Sequence, residues 1–138
     1  MERVFQYRSE IQEIPLIRKN FVDLAVSWAL PESEERQIGV IIEELFSNII
    51  RFGFEDQGEH LIEIRIRKGE HGISIVIIDD GIPFNPLEYH PGSLFDPATP
   101  NTGGMGLTLV QTFSDSIVYN RINQKNYLEI TKAIKSQP

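Results

Sequence analysis

At 138 residues, with 41% hydrophobic and 24% charged residues, the chain is predicted to form one domain around a single core. Its 20 acidic and 13 basic residues give a net charge of −7 with no Lys/Arg run, which argues against nucleic acid or an anionic membrane as partner. The absence of cysteine excludes a disulfide framework, a thiolate zinc site and a cysteine nucleophile; the charged start at Glu2 and Arg3, with no membrane-length apolar run, predicts a cytoplasmic protein.

The first element in chain order is a short strand, where Val4, Phe5 and Tyr7 alternate imperfectly with polar neighbours. A helix follows from Pro15, with Ile17, Phe21, Leu24, Ala25 and Trp28 at helical spacing until Pro31 stops the pattern. Its outer face, with Arg18, Lys19 and Asp23, reads as solvated. Ser33, followed by Glu34, Glu35 and Arg36, starts a second helix running to about Phe52. Ile38, Ile41, Ile42, Leu45, Ile49 and Phe52 share one face of it, and Phe46 and Ile50 widen the apolar arc to roughly half the circumference.

Two polar residues on that helix need a reason. Glu44 and Asn48 lie one turn apart at the edge of the apolar arc, with Arg51 a further turn along. Asparagine is a poor helix former, and an unpaired carboxylate beside a core is costly. One reading is structural, with Glu44 pairing to Arg51 or capping a neighbouring turn. The other is chemical: a carboxylate and an amide oxygen on one stripe can orient a nucleophile and hold a hard cation such as Mg²⁺.

After a turn at Gly53 and a polar run from Glu55 to Glu59, Leu61, Ile62, Ile64 and Ile66 alternate with Glu63, Arg65 and Arg67 as a half-buried strand. Glu70-His71-Gly72 turns the chain into Ile73 to Ile78, a β-branched run that reads as a central strand paired in a hairpin with the one before it. This strand ends in Asp79-Asp80-Gly81-Ile82-Pro83-Phe84. Such a sequence is common turn chemistry, and it is also where a rigid carboxylate can accept a hydrogen bond from an exocyclic amine such as that of adenine. His60, His71 and His90 have no metal-like spacing and read as surface residues.

The segment from about 87 to 103, with Pro91, Pro97 and Pro100 and little periodicity, is placed as a lid would be. Gly103-Gly104-Met105-Gly106 then opens a helix through Leu107, Leu109, Val110 and Phe113. Three glycines in four positions before a helix N-terminus form either a plain turn or a cradle for phosphate. Asp115 leads into a strand at Ile117 to Tyr119, and a last strand, Tyr127 to Thr131, follows a turn around Asn123 to Asn126.

Three constellations thus stand in order: Glu44-x-x-x-Asn48 on a helix, Asp79-x-Gly81-x-Pro83-Phe84 after a strand, and Gly103-Gly104-x-Gly106 before a helix. Together they resemble the ATP-binding boxes of the histidine-kinase-like (GHKL, Bergerat-fold) ATPases. More narrowly the chain is similar to the single-domain anti-sigma factor serine kinases, through to its Tyr119-x-Arg121 and Asn126-Tyr127-Leu128 segments. The resemblance implies an α+β fold over residues 1–138, a two-layer α/β sandwich whose mixed, mostly antiparallel sheet carries helices on one face, with an ATP lid at about 87–103. It implies ATP and Mg²⁺ as cofactors, with Asn48 on the metal, Glu44 as catalytic general base and Asp79 on the adenine amine. Gly81 would give the base room, and backbone N–H groups of Gly104, Met105, Gly106 and Leu107 would meet the phosphates. No Gly-Lys-Ser/Thr follows the glycines, so this is not a P-loop. In one departure, Phe52 stands where relatives often have His, beside Arg51, a familiar companion.

The implied function is an ATP-dependent protein serine/threonine kinase acting as an anti-sigma regulatory factor, with a STAS-domain anti-sigma factor antagonist as its substrate. The alternative is an ATP-gated binding module that sequesters a sigma factor or other regulator without phosphotransfer. Homodimers occur among the relatives, and the first helix is the candidate contact.

Overall fold

The computed structural model describes residues 1–56, 58–86 and 104–134, the last stretch with side chains from Thr108 onward. In order the elements are β1 (Glu2–Arg8), a 3-10 turn (Ile11–Glu13), α1 (Ile14–Ser27), α2 (Glu32–Phe52), β2 (Leu61–Lys68), β3 (Gly72–Asp79), α3 (Gly104–Phe113), β4 (Ser116–Ile122) and β5 (Lys125–Ala133). The strands form one sheet in the order β1-β2-β3-β5-β4, antiparallel at each pairing.

Period-two alternation decides which face is covered. Ile62, Ile64 and Ile66 of β2, Ile73, Ile75 and Ile77 of β3, and Leu128 and Ile130 of β5 point to one side and are buried. They share a core with Ile17, Phe21, Leu24 and Ala25 of α1 and with Ile38, Ile41, Ile42, Leu45, Phe46 and Ile49 of α2. Each such side chain contributes about 2 kcal/mol relative to leaving it exposed. The opposite face carries Arg65, Arg67 and Glu129 into solvent. This is the two-layer α+β arrangement expected from the sequence. Both α1 and α3 pack against α2, which makes α2 the common neighbour of the helical layer.

Helix ends follow local chemistry, with one difference from expectation. Ala29 takes a left-handed φ of 55°, and Leu30 N–H reaches back to Ala25 O at 2.9 Å to close α1. α2 does not start on a Ser33 cap. It begins at Glu32, directly after Pro31, and the Ser33 hydroxyl donates to Glu34 Oε2 at 2.6 Å. Glu32, Glu34 and Glu35 in the first turn complement the positive end of the helix dipole instead. The β4–β5 hairpin turns on Asn123 and Gln124, both left-handed, at φ 51° and 65°. Among the described residues no helix is long and apolar enough to cross a membrane.

Candidate functional site

The alternation that buries Ile73, Ile75 and Ile77 also places Asp79, the last residue of β3, on the inward face, where it is 4% exposed. Its Oδ1 accepts hydrogen bonds from Gly81 N–H at 2.9 Å and from Asn126 Nδ2 at 3.0 Å. Both of these donors fall on the same oxygen, so among the described residues Oδ2 is the oxygen that can take a donor from a ligand. Burial pushes the Asp79 carboxyl above the usual carboxylate range; the bonds from Asn126 and Gly81 act against that push.

Asn126 lies directly opposite Asp79 in the β3–β5 register and is 3% exposed. Its Nδ2 donates also to Ile82 O at 2.8 Å, and its Oδ1 accepts from the Tyr119 hydroxyl and from Arg121 Nη1 at 3.1 Å. The amide therefore uses two donors and two lone pairs, its full capacity. Arg121 Nη1 donates as well to Gly81 O at 2.7 Å. From the other side, Ile82 N–H donates to Gly53 O at 2.8 Å, tying the loop after β3 to the end of α2. The two backbones approach so closely at Gly81 that a Cβ there would lie 2.0 Å from Gly53 O.

On α2, Asn48 is 3% exposed and its Nδ2 donates to the backbone oxygen of Glu44 at 2.8 Å. One N–H of the amide is thereby held by the helix, and the amide oxygen is the group a cation would take. Glu44 sits half-buried one turn earlier. It is Glu43, its neighbour, that forms an ion pair with Arg18 of α1, so the outer face of α1 is bridged to α2 there rather than merely solvated. An exposed pair of this kind contributes little to stability. Phe52, the residue that departs from the resembling pattern, packs its ring against Phe84 with centroids 6.1 Å apart, joining the end of α2 to the segment after β3.

The third constellation opens α3 at Gly104. Gly104, Met105, Gly106 and Leu107 form its first turn, where backbone N–H groups have no intrahelical partner. Gly103 and the expected lid at 87–103 lie outside the described residues, as do the side chains of Met105 and Leu107. The structure thus brings Asp79 and Gly81 to the C-terminal end of α2, the helix that carries Glu44 and Asn48 and against which α3 packs. Among the described residues no cluster of three or more His, Cys, Asp or Glu could hold a metal.

Sequence reasoning gave no role to Asn126, although a signal was present. It is the one buried polar residue in phase with Leu128 and Ile130 on a strand whose other phase is exposed or half-buried.

His60, expected at the surface, is half-buried there and engaged on both ring nitrogens. Its side chain is 18% exposed, with Nε2 2.6 Å from Asp56 Oδ1 and Nδ1 3.0 Å from Asp80 Oδ1. Its ring stacks on Phe54 at 4.3 Å. His71 is exposed as expected, and His90 lies outside the described residues. The hydrogen bond that the His60 ring donates to Asp56 raises the His60 pKa above 6.5, partly offset by burial and reinforced by Asp80. A raised histidine stabilises the fold fully below its unfolded pKa, and that contribution is lost as pH rises through the folded value. The melting temperature of the native chain should therefore lose a component as pH rises above 6.5. His60→Phe, which keeps the stacking, should remove that component, and parallel melting-against-pH curves for the two chains would refute the assignment.

Comparisons with known proteins identify the family and the fold. The family profile described as histidine kinase-like ATPase domain matches residues 7–132. The anti-sigma F factor of Clostridium beijerinckii is 28% identical over 85 residues, covering 61% of this chain and 59% of that protein. The anti-sigma F factor of Anoxybacillus flavithermus is 25% identical over 101 residues, 72% of this chain and 69% of that one. The match thus spans about three fifths of the length of the first of these relatives. Among solved structures, the histidine kinase domain of the Erythrobacter litoralis EL346 blue-light activated histidine kinase superposes with a TM-score of 0.55 at 18% identity, over 75% of this chain and 46% of that one. The Acinetobacter baumannii histidine kinase AdeS gives a TM-score of 0.51 at 18% identity, over 97% and 70%. These two likenesses are of fold alone. With the profile covering nearly the whole sheet and all three helices, the chain belongs to the histidine kinase-like ATPase domain family.

Proposed function

We propose that this chain is an ATP-dependent protein serine/threonine kinase and anti-sigma regulator whose substrate is a STAS-domain anti-sigma factor antagonist. The observation that carries the nucleotide reading is the buried Asp79, whose two donors among the described residues both fall on Oδ1 and leave Oδ2 to face a ligand. The name of the curated relatives, anti-sigma F factor, supports the regulatory reading.

The residues fit Mg·ATP. Asp79 accepts from the adenine amine, and Gly81, whose lack of a Cβ lets the loop close against Gly53 O, stands beside the base. The first-turn N–H groups of Gly104, Met105, Gly106 and Leu107 take the phosphates. Asn48, its NH₂ held by Glu44 O, offers an amide oxygen to Mg²⁺. The metal, when bound, supplies charge neutralisation at the triphosphate. Glu44 is the general base: its carboxylate takes the proton of the substrate serine hydroxyl as Oγ bonds to the γ-phosphorus. The bond from that phosphorus to the bridging oxygen breaks, and ADP carries away the electron pair. The remaining work of the protein is alignment of the two reactants.

A second reading, an ATP-gated module that sequesters a sigma factor or other regulator without phosphotransfer, is favoured by one observation. The apolar Phe52–Phe84 contact stands where relatives often place a polar residue. Intact-mass spectrometry of each STAS-domain protein from the same genome, after incubation with this chain and Mg·ATP, separates the two. A single phosphate gained on serine or threonine is the expected result. ATP binding without any phosphate gain would favour the sequestering module.

A further inference from the structure

Buried polar side chains are few among the described residues: Asn48, Asp79 and Asn126. The first two already have ligand roles. Asn126 donates to Asp79 Oδ1 and Ile82 O and accepts from Tyr119 and Arg121. Those partners fix its orientation. Arg121 is a donor only, so a flipped amide would set its NH₂ against the guanidinium and its oxygen against the Asp79 carboxylate. The NH₂ group is thereby made to face Asp79.

This has a consequence for the ligand. A carboxylate that receives two N–H donors on one oxygen is held in its acceptor form, and it meets the base through the other oxygen. An acceptor at that point suits a purine with an amino group at C6. It opposes one with a carbonyl oxygen there, because no proton lies between the two oxygens.

We propose that Asn126, oriented by Arg121 and Tyr119, is a specificity-determining residue that makes the site choose 6-aminopurine over 6-oxopurine nucleotides by keeping Asp79 an acceptor. The proposal rests on the reading of Asp79 as the adenine contact. Physical support comes from the charges about Asp79. Burial and the adjacent Asp80, itself bonded to His60, favour the protonated carboxyl, while Asn126, Gly81 and Arg121 favour the ionised one. Without the amide the balance moves toward the acid, and a protonated carboxyl can donate to a 6-oxo group.

The test is the ratio of ATP to GTP affinity, measured by calorimetry on the whole chain with Mg²⁺, near pH 6 and near pH 8. In Asn126→Ala the ratio should fall by about tenfold or more, because a hydrogen bond to a charged group is lost. The fall should be larger at the lower pH. Should Asn126→Ala fail to fold, Tyr119→Phe, which removes one of the donors fixing the amide, should lower the ratio by about threefold. A folded variant that weakens both nucleotides alike, with the native ratio kept at both pH values, would mean that Asn126 only braces the loop, and the proposal is overturned. Asp79→Asn tests the underlying reading separately: if it leaves ATP affinity unchanged, the adenine assignment itself fails.

Discussion

Glu44→Gln is expected to lower phosphotransfer about a thousandfold, the contribution of a positioned general base, while ATP affinity stays within about twofold of native. The separation follows from where the protein bonds lie. Asn48 is held by the backbone oxygen of Glu44, not by its side chain, so the substitution leaves the proposed metal ligand in place. Glutamine matches glutamate in shape and nearly in helix propensity, so α2 should be unaffected. What disappears is basicity at one half-buried position. Phosphate transfer followed by mass spectrometry, beside ATP titration, reads the two effects independently. A Gln variant that transfers phosphate at the native rate would remove Glu44 from the mechanism. An unchanged regulatory output in a variant without transfer would favour the sequestering module.

The sequence made the elements and three of the site's components readable because each is a local pattern. The 3.6-residue period exposed α2, and the β-branched run of β3 put Asp79 at the tip of a central strand. What it left out are meetings between distant residues. Asn126 is in phase with Leu128 and Ile130 and so was visible as a buried polar residue, but its partner Asp79 is 47 positions away and pairs with it only through the β3–β5 register. His60 meets Asp80 across 20 positions, which histidine spacing alone does not reveal. The Ser33 cap failed for a different reason. Pro31 already starts the helix with φ −59° and ψ 147°, and the serine falls one position inside the first turn. Phe52 was marked as a departure, while the ring it touches, Phe84, lies beyond an intervening hairpin.

Gly81→Ala is expected to cost about 3 kcal/mol or more of stability, at the upper end of overpacking, and to weaken ATP binding by more than about a hundredfold. An added Cβ would lie 2.0 Å from Gly53 O, 2.9 Å from Gly53 C and 3.0 Å from Asp79 Oδ1. Two of these atoms are backbone at the end of α2, and the third is a carboxylate oxygen already holding two donors, so no flexible side chain can yield. The loop must instead draw back by about 1.4 Å to reach an ordinary contact of 3.4 Å. That movement stretches Ile82 N–H to Gly53 O, Gly81 N–H to Asp79 Oδ1 and Arg121 to Gly81 O together. Each of these bonds is worth about 1 kcal/mol net, and their shared loss releases the carboxylate from the orientation that faces the ligand. Gly39→Ala supplies the contrast. Its Cβ would meet only Phe21 Cδ2 at 3.9 Å inside a helix, so it should be neutral or stabilising by up to about 1 kcal/mol. Denaturant midpoints and ATP titration of both variants make the check. Native ATP affinity in Gly81→Ala would place the loop after β3 outside the nucleotide site, because a base held by Asp79 cannot be indifferent to the displacement of the backbone that aims it.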